Sequence, residues 1–76
     1  MYIDIRNRNE YNLGHIDGAV NIKYINLLAT PDKYLTKNDI YYIYCNTGNK
    51  SKYVVSKLNN LGFKCVNIDG GYYSLM

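Results

Sequence analysis

The sequence predicts an α/β domain: a small open parallel sheet with helices on both faces. Short strand-like segments alternate with helical ones, and at such short spacings they call for crossover connections and parallel pairing. The clearest strand, Ile40-Tyr41-Tyr42-Ile43-Tyr44, is nearly continuous in apolar and aromatic residues, as expected of a strand covered on both faces. The chain has 76 residues, 47% hydrophobic and 20% charged, which is a globular composition with room for one core. A single domain over residues 1–76 is therefore the expectation. A chain of this size buries only roughly 60% of the surface it exposes unfolded, so a few kcal/mol of net stability is expected.

The elements follow in order. Tyr2-Ile3-Asp4-Ile5 is aromatic and β-branched and reads as the first strand. Asn9 to Leu13 makes a helical turn that Gly14 stops. Gly18 opens a second extended segment, Ala19 to Ile22, and the apolar spacing from Tyr24 to Leu28 suits a short helix. Thr30-Pro31-Asp32 breaks that helix before another turn through Tyr34 and Leu35, and Thr36 to Asp39 is a loop into the Ile40–Tyr44 strand. After a polar loop, Tyr53, Val54, Leu58 and Leu61 recur at helical spacing, with Gly62 as the C-terminal stop. Lys64 to Ile68 reads as a fourth strand, and Asp69-Gly70-Gly71 turns the chain into a short terminal segment.

Several function classes are disfavoured. The N-terminus carries Asp4 and Arg6 where a signal peptide needs an apolar core, and no run approaches the ~18 apolar residues of a membrane span. A cytoplasmic protein without a membrane partner is expected. In that reducing setting Cys45 and Cys65 should be free thiols. The formal charge of +3 mildly favours anionic ligands, but no basic stripe points to nucleic acid. Cys45, Cys65 and His15 have no metal-ligand spacing, and neither metal nor cofactor is expected.

The chemistry concentrates in Cys45-Asn46-Thr47-Gly48-Asn49-Lys50-Ser51, which joins the end of the main strand to the main helix. Ligands of open α/β sheets bind at such strand ends. The loop amides can converge on an anion, Gly48 can take a positive φ, and the following helix presents its positive end. Each effect favours a thiolate at Cys45. The helix end alone supplies about 0.3–1 kcal/mol, less than one pKa unit, so the amides and Lys50 must supply any further shift. The competing reading is that Cys45 is an inert small hydrophobe ending a core strand.

Three blocks together resemble the single-domain rhodanese, or sulfurtransferase, family. Tyr2 to Arg6 with Glu10-Tyr11 and Gly14-His15-Ile16-Asp17-Gly18-Ala19-Val20-Asn21-Ile22 resembles its opening strand, short helix and Gly-His-Ile-Pro-Gly-Ala turn. Cys45 to Ser51 is similar to its Cys-x-x-Gly-x-Arg-Ser loop, and Leu61-Gly62-Phe63, Val66 and Asp69-Gly70-Gly71 to its later strand and Gly-Gly turn. Lys50 replaces the loop arginine, keeping the charge without the rigid fork, and the chain is short for the family.

The resemblance implies that Cys45 takes sulfane sulfur from a small anion such as thiosulfate or from a persulfide donor. It would hold that sulfur as a persulfide and pass it to cyanide, a thiol or a protein acceptor. Asn46, Thr47, Gly48, Asn49 and Lys50 would form the donor-binding loop. His15 falls in a turn whose matching block is architectural, and Asp4 and Arg6 read as loop-fastening or surface residues. A cysteine phosphatase is disfavoured, because its loop holds one more residue between cysteine and cation. The alternative is a catalytically silent rhodanese-like module that binds a partner protein.

Overall fold

In the computed structural model of residues 1–76, strands β1 (Tyr2–Asp4), β2 (Val20–Asn21), β3 (Ile40–Tyr44) and β4 (Lys64–Asn67) alternate with helices α1 (Arg8–Leu13), α2 (Tyr24–Ala29), α3 (Pro31–Tyr34) and α4 (Asn49–Asn60). A 3-10 turn, Tyr72–Leu75, follows β4. The local chemistry of each boundary is plain. The Asn7 side chain caps α1 by accepting from the Glu10 amide at 2.9 Å. Pro31 opens α3, where its missing N–H costs nothing.

All four strands pair in parallel, in the order β2-β1-β3-β4. Ile3 lies in register with Val20 on one side and Ile43 on the other, and Tyr41 is in register with Cys65. The chain winds outward from β1 in one direction and from β3 in the other, so the order reverses between these two central strands. Their C-terminal ends, which lead into Arg6 and Cys45, frame the crevice where an open α/β sheet receives a ligand.

Ile3, Ile5, Leu27, Ile43, Val54 and Leu58 form the buried centre, where β1 and β3 meet α2 and α4. The buried face of α4 is Ser51, Val54, Val55 and Leu58, the i, i+3, i+4, i+7 set. Tyr53 and Leu61, which the apolar spacing assigns to that face, lie more than half exposed. Tyr53 instead faces outward with the Lys57 ammonium 5.5 Å from its ring centroid, a pairing that an amphipathic aromatic allows and an aliphatic does not.

A second correction concerns β3. Tyr41, Ile43 and Tyr44 are buried, but Ile40 and Tyr42 are exposed. Helix α4 packs on β3 and β4 from one side, and α2 packs on α4. The opposite face is covered only around Tyr44, whose hydroxyl accepts from the Ile16 amide at 3.1 Å and whose ring lies 6.1 Å from that of Tyr72. Below it the rings of Tyr2 and Tyr42 lean together at 5.4 Å, beside Val66, with no helix over them. The face opposite α4 is the less covered one, leaving Tyr2 41%, Tyr42 38% and Val66 45% exposed.

Candidate active site

The loop from Cys45 to Ser51 folds back on the sulfur. Gly48 caps α4 at φ 94°, a left-handed value that favours glycine, and a Cβ there would come within 2.9 Å of the Gly70 amide nitrogen. This reversal aims two backbone donors at one atom: Cys45 Sγ accepts from the Gly48 amide at 3.2 Å and from the Ser51 amide at 3.3 Å. The thiol in turn donates to Ser51 Oγ at 3.4 Å. Cys45 and Cys65 are both free thiols.

Two consequences for ionisation follow. Burial pushes the Cys45 thiol up, yet the hydrogen bonds that the ionised sulfur receives from the Ser51 hydroxyl and from the Ser51, Gly48 and Thr47 amides outweigh it and hold the pKa below its ordinary value. Cys65 lacks such donors, and burial alone pushes its pKa up to about 11. The difference between two buried cysteines therefore comes from the loop.

A second turn braces the first from behind. Gly71 adopts φ 63°, ψ −161°, a region open essentially to glycine, and its missing side chain lets the backbone of Cys45 and Asn46 approach. A Cβ on Gly71 would collide with the carbonyl oxygen of Cys45 and lie 2.5 Å from that of Asn46. The same two carbonyls accept from the Tyr72 amide at 2.8 Å and the Tyr73 amide at 2.9 Å. Gly14 also answers to contact, since a Cβ there would lie 2.6 Å from the Tyr72 hydroxyl.

Arg6 ties the site to β1. Its guanidinium grips both oxygens of Asp4, at 2.7 Å from Nη2 and 3.1 Å from Nε. It also donates to the Gly14 carbonyl at 2.6 Å and to Asn46 Oδ1 at 3.2 Å, and lies 4.3 Å from the Tyr72 ring centroid. Burial would lower the Arg6 pKa, but the Asp4 hydrogen bond and charge more than offset it, so the net shift is upward. Asp4 and Arg6 are both buried, so the loop-fastening reading holds and the surface reading does not. The Asn46 amide donates onward to Glu10 Oε2, which links the loop to α1.

A pocket of about 350 Å³ opens over Cys45, with Arg6, Glu10, Lys23, Tyr24, Thr47 and Lys50 in its lining. The Lys50 ammonium rests 4.3 Å from the Tyr24 ring centroid. Of the expected donor-binding residues, Asn46, Thr47 and Lys50 line this pocket, and Gly48 contributes its amide to the sulfur. Asn49 lies outside the lining, with its amide on Thr47 Oγ1 at 3.4 Å. His15 is also outside: its Nδ1 meets the Tyr11 carbonyl at 2.8 Å and its ring stacks on Tyr11. Glu10, Lys23 and Tyr24 line the pocket without having been assigned to the site from the sequence, because the side-by-side order β2-β1-β3 brings them beside Cys45.

The sequence model of the rhodanese-like domain family matches residues 1–76. Thiosulfate sulfurtransferase PspE of Escherichia coli is 33% identical over 75 residues, spanning 92% of this chain and 68% of that protein. The adenylyltransferase and sulfurtransferase uba4 of Ogataea parapolymorpha is 31% identical over 71 residues, which is 91% of this chain but only 18% of that protein. Among solved structures, SSP1007 from Staphylococcus saprophyticus is similar with a TM-score of 0.90 at 33% identity, covering 99% of this chain and 74% of that one.

Proposed function

Because the chain belongs to the rhodanese-like domain family, we propose that it is a sulfurtransferase in which Cys45 carries sulfane sulfur as a persulfide. The observation that carries this reading is the pair of backbone amides on Cys45 Sγ, which favour a thiolate at a buried position. In the first half-reaction the thiolate attacks the outer sulfur of thiosulfate. The S–S bond of the donor breaks, and sulfite leaves with the bonding pair. In the second, an acceptor thiolate or cyanide attacks the outer sulfur of the persulfide, and the Cys45 thiolate returns as the leaving group.

The residues divide this work. The Gly48 and Ser51 amides hold negative charge on the cysteine sulfur when it attacks and again when it leaves. Lys50 and Lys23 set two cations at the pocket rim for an anionic donor, while the charge of Arg6 is committed to Asp4. Thr47 and Asn46 offer polar contacts along the wall. The same pocket would receive a small thiol or a persulfide presented by a protein. No helix is long and apolar enough to cross a membrane, and a cytoplasmic setting is part of this proposal.

The test is intact mass after incubation with thiosulfate, for the parent protein and the Cys45→Ser and Cys65→Ser variants. The expected result is a gain of one sulfur that is lost in Cys45→Ser, kept in Cys65→Ser and reversed by cyanide. A folded protein that gains no sulfur from thiosulfate or from a glutathione persulfide would refute the reading in favour of a silent partner-binding module.

A further inference from the structure

Ser51 is fully buried and has one hydroxyl proton, with three acceptors within reach. Ser51 Oγ lies 3.4 Å from Cys45 Sγ, 3.2 Å from the Gly48 carbonyl and 2.5 Å from Asn67 Oδ1. The Gly48 carbonyl already accepts from the Lys52 amide at 3.1 Å and from Asn67 Nδ2 at 3.3 Å, which uses both of its lone pairs. The Asn67 amide cannot turn over without loss, because its Nδ2 also donates to Asp69 Oδ1 at 2.9 Å. Its oxygen is thereby fixed on Ser51. In the resting thiol the chain of donors runs one way: Cys45 S–H to Ser51 Oγ, and Ser51 O–H to Asn67 Oδ1.

Loss of the Cys45 proton reverses what the sulfur wants, since it becomes an acceptor and competes with Asn67 for the Ser51 hydroxyl proton. We propose that Asn67 is a positioning residue that holds the Ser51 hydroxyl toward itself in the resting thiol and yields it to the sulfur when the thiolate forms. The role rests on Cys45 being the reacting thiol. Asn67 is then a counterweight to the amide cradle: the Gly48 and Ser51 amides favour the charged sulfur, and Asn67 favours the neutral one. A charge-assisted bond from Ser51 to sulfur outweighs a neutral one to Asn67, so the hydroxyl turns.

Other charged groups face the same sulfur. Arg6 and Glu10 stand on the β1 and α1 side, Lys23 before α2 and Lys50 at the start of α4, with Asp69 behind Asn67. A readout that isolates the relay must therefore be a difference between variants that leave these in place. The rate of Cys45 alkylation by iodoacetamide against pH, with the site assigned by mass, does this without any sulfur donor.

Asn67→Leu fills the space, removes the competing acceptor and is expected to lower the midpoint by about 0.5–1 pH unit, the worth of one ordinary hydrogen bond. Asn67→Asp, a stronger acceptor, is expected to raise it. With Ser51→Ala in the background, Asn67→Leu should leave the midpoint where Ser51→Ala alone puts it. Equal shifts with and without Ser51, or a rise in Asn67→Leu, would overturn the proposal. If Asn67→Leu does not fold, Asn67→Asp decides: a larger rise with Ser51 present supports the relay, and the same rise in Ser51→Ala refutes it. A parent Cys45 that ionises no earlier than Cys65 would instead overturn the activated-thiol reading, and with it the relay.

Discussion

Replacing Gly71 with alanine should damage the protein more than any other loss of one glycine hydrogen. Two costs combine. The backbone at φ 63°, ψ −161° is strained for any residue with a Cβ, at about 1–3 kcal/mol. The new methyl carbon would also collide with the carbonyls of Cys45 and Asn46, and relief requires parting Tyr72 and Tyr73 from those carbonyls. Two backbone hydrogen bonds at about 0.5–1.5 kcal/mol each bring the expected loss to about 2–6 kcal/mol.

Against that stands the whole stability of a 76-residue chain, roughly 4–11 kcal/mol at about 0.05–0.15 kcal/mol per residue. Urea unfolding followed by circular dichroism measures the loss, and Cys45 alkylation measures whether the loop still activates the thiol. Gly18→Ala is the control, because Gly18 also has a positive φ, 82°, but a Cβ there meets nothing within 4 Å. It should lose only the backbone term, about 1–2 kcal/mol, and leave Cys45 unchanged. If Gly71→Ala costs no more than Gly18→Ala, the close approach of the two turns does not hold the site together.

Two more perturbations test the walls of the site. Arg6→Ala leaves the Asp4 carboxylate buried without its partner and should cost about 3–5 kcal/mol in urea unfolding; a loss below about 1 kcal/mol would mean that Asp4 finds solvent or another donor. Lys50→Ala should raise the KM for thiosulfate several-fold with little change in kcat, more at low salt than at high, because an exposed cation acts through screened attraction. An equal fall in kcat would instead place Lys50 in the chemical step.

Much of this was legible in the sequence because it is written in local chemistry. The Cys45–Ser51 loop between an apolar strand and a helical stripe, the positive φ at Gly48 and the Gly70-Gly71 turn can all be read from neighbouring residues. What escaped depends on register and layering. Tyr42 looks as apolar as Tyr41, and only the one-sided placement of α4 decides that one is exposed and the other buried. Arg6 and Asp4 read equally as loop-fastening or surface residues until β1 sets them against Gly14, Asn46 and Tyr72. Asn67 carries no motif, and its position on Ser51 follows from the β3–β4 register, which aligns Ile43 with Asn67.

The substitution of lysine for arginine at position 50 has a narrower consequence than its place in the loop suggests. The proposed reaction sets two tasks at Cys45, holding charge on sulfur and attracting an anion, and different groups stand where each would be done. The sulfur is held by backbone amides whose positions depend on Gly48, Gly71 and the start of α4, not on the side chain of residue 50. The forked cation that braces Asn46 is Arg6, which reaches the loop from β1. On the proposed function Lys50 would serve the second task, with its ammonium 4.3 Å from the Tyr24 ring centroid and Lys23 beside it in the pocket lining. On the proposed function a lysine here would bear on which donor binds and how tightly, whereas the lowered pKa of Cys45 comes from Ser51, Gly48 and Thr47, which the substitution does not touch.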